Sequence, residues 1–335
     1  MAAGIKALRK IQLGREGTAG SECDATVLWR GTGTIEDGLT MVFPEEDIGM
    51  LSGVDRNYIP KVEARLAMDE TPCTFEHVCH ILEAGVKTAT VATSGGGQQY
   101  VYIFPTTSAN TIKNYTVEGG DDIAEEQFLY GFVTDFMLSG SAGEAVMMSA
   151  NWLGRQVSTG TFTTGIEITT ATTVEEVLFQ KGKLYIDPSS GALGATTAVG
   201  TFLDFNLKVN TGWVPVYTGD GQLYFTHNKS VAPELLCDVT FEHEATVAVA
   251  EIAAWKAKTA RLLEMKFTGA ALTSTGLTYA VKTMIIDLTG KWESFEKIGE
   301  RDGNDVVTGS FRARYNATDE TFATITVVHN NATLT

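Results

Sequence analysis

The chain has 335 residues, enough for two compact domains or one large all-β unit. Lysine and arginine total 25 against 41 aspartates and glutamates, a formal charge of −16, and this balance argues against a general binder of nucleic acid or anionic membrane, which needs a basic footprint. No apolar run approaches the ~20 residues of a spanning helix, and residues 1–10 alternate basic and apolar side chains where a secretory leader would be continuously apolar, so the expectation is no membrane and folding in a cytoplasm. Four scattered cysteines, Cys23, Cys73, Cys79 and Cys237, read as thiols. With 45 Thr and 34 Gly but only 7 Pro, the composition suits strands and turns.

In chain order, Leu28-Trp29-Arg30 opens a candidate strand and leads into a long loop over residues 31–57. Val62, Ala64, Leu66 and Met68 then alternate with polar or small residues, the period of a half-buried strand. Thr71 as cap, Pro72 in the first turn and Gly85 as stop predict a helix at about 72–84, with Phe75, Val78, Cys79 and Leu82 on one face. Gly95-Gly96-Gly97 reads as a flexible loop before a strand at Tyr100–Phe104. Strands at Phe132–Leu138 and Val146–Trp152 flank a glycine turn over 140–143. The Thr-rich stretch from Ser158 to Thr173 looks like a boundary.

The order then repeats. Leu203-Asp204-Phe205 opens a strand; Cys237, Val239, Phe241 and His243 alternate like the residues from Val62 on, at an offset of 175 residues. Thr246 can cap a second helix at about 247–259, and strands around Asp302-Gly303-Asn304 close the half. The division is an arm over 1–20, a first domain over 21–157, a linker region over 158–179 and a second domain over 180–335. Each domain is β-rich with a single helix.

Few residues suggest chemistry. Cys73, His77 and His80 share the helix side opposite its apolar face, but three ligands on one short helix still need a fourth; a polar face meeting solvent or a neighbouring subunit is the simpler reading. Acidic pairs recur without the fixed separation that glycoside hydrolysis requires. Gly219-Asp220-Gly221 and Asp302-Gly303-Asn304 read as hairpin turns. No nucleophile elbow, phosphate loop or dinucleotide fingerprint is present, so neither catalysis nor a cofactor is expected.

Assembly fits better. The loop mixes Glu45 and Glu46 with Met41, Phe43, Ile48, Met50 and Leu51, apolar groups that stay in water unless a partner covers them. The arm carries Lys6, Arg9 and Lys10 on an otherwise acidic chain and suits an acidic neighbour. The alternatives are a loop folded back on its own sheet and, for the whole chain, a carbohydrate-binding or adhesin-like β module of a virion or cell surface.

The opening from Gly4 to Glu16, the segment Trp29-Arg30-Gly31-Thr32-Gly33, the run Val42 to Asp47 and Glu70-Thr71-Pro72 resemble major tail tube proteins of long-tailed, siphovirus-type bacteriophages. The resemblance implies a β-sandwich or barrel-like tail-tube domain with one flanking helix, here fused in tandem. It further implies self-assembly into trimeric, pseudo-hexameric rings, stacked through the loop and arm into a virion tail. Its partners would be the tape-measure protein, the tail terminator and tip proteins, and double-stranded DNA passing through the lumen unbound. Synthesis would be in the host bacterial cytoplasm.

Overall fold

The computed structural model describes residues 4–94, 97–168, 173–273, 278–317 and 320–334. Residues 1–3 of the arm, Gly95 and Gly96 of the expected flexible loop, and residues 169–172 of the Thr-rich boundary lie outside them. The protein is mainly β, 49% strand and 7% helical.

The first half runs β1 (Lys10–Arg15), β2 (Val27–Leu28), β3 (Gly33–Asp37), β4 (Ala64–Pro72), α1 (Val78–Gly85), β5 (Thr90–Ser94), β6 (Gly97–Ile103), β7 (Tyr115–Gly120), β8 (Glu125–Ser141), β9 (Met147–Gly154) and β10 (Val157–Thr159). The second half runs β11 (Gly182–Pro188), β12 (Phe202–Asn210), β13 (Trp213–Val216), β14 (His227–Ser230), β15 (Glu234–Glu242), α2 (Ala248–Lys256), β16 (Arg261–Ala271), β17 (Val281–Phe295), β18 (Gly299–Arg301), β19 (Asn304–Ala313) and β20 (Ala323–His329).

Hydrogen-bonded neighbours follow one order in both halves. In the first it is β3–β4–β9–β8–β7–β1; in the second, β12–β15–β19–β17–β16–β11. The correspondence extends to register. Phe132 pairs with Leu153 and Lys291 with Arg312, each residue 159 positions from its counterpart, and a β-bulge falls between Val133 and Asp135 and again between Trp292 and Ser294. A bulge inserts one residue at a defined place, so its recurrence aligns the halves more tightly than side-chain identity does.

β8 and β17 are the long strands, and each changes partner along its length. Residues 125–131 of β8 pair with β7, whereas 132–139 pair with β9; β17 likewise pairs with β16 up to Gly290 and with β19 from Gly290 onward. The switch falls at Gly131 and Gly290. A Cβ on Gly290 would stand 2.1 Å from the Arg312 carbonyl oxygen, and one on Gly131 would stand 2.8 Å from that of Tyr115, so glycine is what lets the chains cross so closely.

Two seams join the halves. Along one, Asp135–Ser141 of β8 pair with Asp204–Asn210 of β12; along the other, Gln98–Ile103 of β6 pair with Thr324–His329 of β20. One apolar core is continuous through both halves, and a smaller cluster holds Ile112, Tyr130, Phe132, Leu153, Trp213 and Phe225.

The β6–β20 seam also changes the environment of α1. The expected helix at 72–84 begins only at Val78, because β4 continues through Pro72, opposite Met147, and the Cys73 amide donates to the Val146 carbonyl at 2.7 Å. Phe75, Val78, Cys79 and Leu82 are buried as expected, but Cys73, His77 and His80 do not form a face toward solvent or a neighbour: all are buried too. His77 stacks on Trp29 with ring centres 5.3 Å apart, while β6 and β20 meet Cys79: the Tyr102 hydroxyl donates to its carbonyl at 3.2 Å and His329 Nε2 lies 3.6 Å from its Sγ. His80 Nδ1 lies 3.2 Å from the Tyr115 hydroxyl, which donates to Glu83 Oε2; Arg15 holds Glu83 through two bonds of 2.7 and 2.8 Å. No group of three metal-ligating side chains gathers among the described residues.

The second helix, expected at 247–259, spans Ala248–Lys256, and its first turn is capped by Glu244 in place of Thr246: the Ala248 amide donates to Glu244 Oε1 at 3.3 Å. Asp302 and Gly303 form the β18–β19 turn with φ of 52° and 83°, the left-handed pair of a two-residue hairpin.

Buried charges tie the connection between halves to both. Lys282 on β17 donates to Glu76 at 2.7 Å and meets Glu175 at 3.2 Å. Lys282→Ala strands two carboxylates and should cost about 3–5 kcal/mol in denaturant unfolding, whereas Lys282→Met combined with Glu76→Gln and Glu175→Gln should recover most of it.

Titration adds a second test. Burial lowers His77 and His329 to about 4, while burial and the cross-strand Glu264 raise Asp287 to about 7. A histidine depressed in the fold binds its proton more readily when unfolded, so its contribution to stability grows from about pH 4 to 6.5; a raised aspartate binds its proton more readily when folded, so its contribution shrinks from about pH 4 to 7. Each group carries about 1.4 kcal/mol per pH unit. Asp287→Asn should therefore steepen the rise of stability between about pH 4 and 6.5, read by thermal melts across that range; an unchanged slope would show that Asp287 titrates normally.

Candidate assembly interface

The two seams leave one continuous run of strands, β3–β4–β9–β8–β12–β15–β19–β17, with both ends open. β3 pairs with β4 on one side, and the last residues of β17, beyond Gly290, pair with β19 on one side; neither has a second partner strand among the described residues. The Asp69 amide donates to Thr32 at 3.0 Å and the Gly38 amide to Glu63 at 2.8 Å. Because hydrogen-bonded pairs alternate in an antiparallel ladder, the amides of Gly33, Ile35 and Asp37 point away from β4 toward the open side. Each half begins with the same kind of strand, β3 or β12, and ends with the second segment of its long strand. Inside the chain, β8 meets β12. At the two ends of the run, β17 and β3 meet no strand.

The face of this run turned away from the core is polar, with a groove of about 610 Å³ across the central seam lined by Met137, Ser149, Asn151, Lys208 and Asn210 among others. Three of its cations are already engaged: Lys208 lies 3.2 Å from Asp238, Arg312 is held by Glu293 at 2.8 Å and by Glu234, and Arg65 pairs with Glu63. Trp29, Trp152, Trp213 and Trp292 are buried and Trp255 half-buried, so the tryptophans do not form the aromatic platform that carbohydrate stacking needs.

The loop expected at 31–57 starts later, because β3 occupies part of it. Beyond Asp37 the β3–β4 hairpin continues as a two-legged flap, with Val42 and Tyr58 exchanging backbone bonds of 2.9 and 3.1 Å. Its tip is apolar and in water: Phe43 is 61% exposed, Met50 65% and Leu51 111%, with Met41 and Ile48 also exposed. Glu45 is exposed and Glu46 is half-buried in an ion pair with Arg56. In the arm, Lys6 and Arg9 are exposed, while Lys10 is half-buried with Nζ 4.0 Å from the Phe162 ring centre. The arm rests on its own chain through the Ile5 amide, which donates to Asp122 at 3.0 Å.

Sequence reasoning missed the counterpart of this flap. β13 and β14 extend the β12–β15 hairpin in the same way, with Gly219–Gly221 in their connection. This second flap is seated: Phe225 packs edge-on against Tyr130 and Phe132, with ring centres 5.3 and 5.7 Å apart, and Arg155 donates to the Thr226 carbonyl at 2.9 Å while lying over the Tyr130 ring. Trp213, Tyr217, Tyr224 and Phe225 within a short turn-containing stretch were the available signal. The flaps also touch each other, through the Val62 amide to Leu223 at 3.0 Å and the Tyr217 hydroxyl to Glu63 at 2.8 Å.

No family model matches this sequence, and no curated protein does.

Phe225→Ala should cost about 3 kcal/mol and free the second flap for cleavage, read by denaturant unfolding together with limited proteolysis over residues 213–230. Unchanged stability and protection would mean the seat is held by backbone bonds alone.

Proposed function

We propose that this chain is the structural subunit of a bacteriophage tail tube, two copies of one tail-tube domain fused in tandem, that self-assembles into stacked rings forming the conduit for DNA ejection. The observation that carries this reading is the match between the strand joint made within the chain and the two borders left open. β8 receives β12 over Asp135–Ser141; 159 residues on, positions 294–300 are the end of β17 and the start of β18, whose strand residues pair only with β19, and β3, which corresponds to β12, pairs only with β4. A second copy can therefore repeat the internal joint by adding its β3 to the first copy's β17. Such a head-to-tail contact either closes a ring or grows without limit, and closure consumes both open ends of the run.

Three copies give the trimeric, pseudo-sixfold ring expected from the resemblance. At ~4.8 Å between strands and a tilt of ~40°, three eight-strand runs span a backbone diameter of ~48 Å, which leaves room for a double helix after side chains are added. The polar face would line the channel. With Arg65, Lys208 and Arg312 already paired to carboxylates, such a wall offers few free cations to phosphate, and DNA slides past without being held. The flap and the arm are contact surfaces between copies. The tape-measure, terminator and tip proteins would be further partners, and the virion tail the location.

The test blocks one border. Asp37→Pro removes an outward amide of β3 while sparing the ladder to β4. The unaltered chain should give rings or hollow tubes of uniform width in negative stain, and the variant should stay folded by circular dichroism yet monomeric by light scattering. Tubes from the variant, or dispersed monomers of the unaltered chain at high concentration, would overturn the proposal.

A further inference from the structure

We infer that the first flap docks on a cationic seat at the β17–β19 end of a second copy of this chain, centred on Lys291 and Arg314. The inference rests on the ring reading above and adds a specific lateral contact to it.

The seat follows from the flap already docked. The second flap sits on the ends of β8 and β9, on Tyr130, Phe132 and Leu153, with Arg155 at its margin. By the shared register, the same places in the second half are Thr289, Lys291, Arg312 and Arg314. Thr289 is buried there, its hydroxyl donating to the Arg314, Thr321 and Phe322 carbonyls, but Lys291 and Arg314 are exposed, and neither has a salt-bridge partner among the described residues. If β17 of one copy pairs with β3 of the next as β8 pairs with β12, the hairpin that brings β3 carries its flap to this place.

Charge fits this occupant. The seated flap is nearly neutral and aromatic, and its seat is aromatic and aliphatic. The unseated flap carries Glu45, Glu46, Asp47 and Asp55 against Arg56 and Lys61, and its seat is cationic. Lys291 and Arg312 face each other across two strands, a like-charge pairing that is unfavourable unless carboxylates meet it. Glu293 and Glu234 serve Arg312, leaving Lys291 and Arg314 for the incoming acids. Tyr315, exposed beside Arg314, offers a ring to the flap's apolar tip.

Reversing the charges tests this. One variant carries Lys291→Glu and Arg314→Glu, a second carries Glu45→Lys and Asp47→Lys, and a third carries all four. Assembly is followed by light scattering and negative stain, and folding by thermal melts. The first two should remain folded and need at least about tenfold more protein to assemble; the third should recover much of the loss. Should a reversal unfold the chain, Lys291→Gln with Arg314→Gln and the salt dependence of unaltered assembly give the same reading, since added salt should weaken a contact between charges. Assembly of both two-site variants at the unaltered concentration would overturn the flap seat while leaving the ring reading intact. An unaltered chain that never assembles would instead overturn the ring reading.

Discussion

A β-sheet is never complete at its own border, because the outermost strand carries amides and carbonyls that only another strand or water can satisfy. Here that constraint orders the molecule. β8 and β17 each bend at a glycine, giving one segment to a sheet around the core and the other to the long polar-faced run. The bend settles which border of each half is left over. In the first half β12 takes that border; in the second it stays open. The same geometry thus closes one joint within the chain and leaves its twin open.

The helix α1 depends on this arrangement as much as the sheets do. It packs on β8, with Cys79 meeting Tyr102 of β6 and His329 of β20, strands paired across the two halves, while His77 stacks on Trp29 and His80 meets Tyr115 of β7. His80 meets Tyr115, Glu83 meets Arg15 and His329 lies near Cys79, whereas His77 is stacked on Trp29 with no hydrogen-bond partner at Nδ1 among the described residues. Lys282, reaching Glu76 and Glu175, fixes the connection between the halves by the same logic. These polar contacts specify which surfaces meet, and the apolar core running through both halves supplies the bulk of the favourable energy.

The parts legible in the sequence were local. Ala64, Leu66 and Met68, and Cys237, Val239 and Phe241, point inward as their alternation predicts, because side-chain period two is written along a strand. Register was not legible: Met68 pairs with Ala150 and Val239 with Gly309, so Met68 corresponds to Val239 and not to His243. The slip of four residues keeps every side chain on its proper face, and a period-two pattern cannot detect it. The error at α1 was of another kind. Thr71-Pro72 is a reasonable helix start in isolation, but β9 continues to pair with β4 through Pro72, and no local signal reports a strand from seventy-odd residues away. The burial of Cys73, His77 and His80 was equally hidden, since it depends on residues distant in sequence: Val146 and Val177 beside Cys73, Trp29 against His77, and Tyr115 at His80. The apolar tip of the first flap was readable from Phe43, Met50 and Leu51; its twin was not, because Trp213 and Phe225 are buried by contacts with the other half.

The contrast between the flaps also bears on timing. Aromatic burial such as that of Phe225 against Tyr130 and Phe132 is short-range, insensitive to salt, and available within one chain, so the second flap closes as the subunit folds. An acidic flap meeting a cationic seat on another molecule behaves differently: the attraction extends over about a Debye length, speeds encounter more than it deepens affinity, and is weakened by salt. On the proposed reading, acids on the outer flap would let free subunits repel one another through their net negative charge while steering the one approach in which flap and seat coincide. Divergence between two halves that share a register would thus separate folding, which the chain completes alone, from association, which needs a second copy.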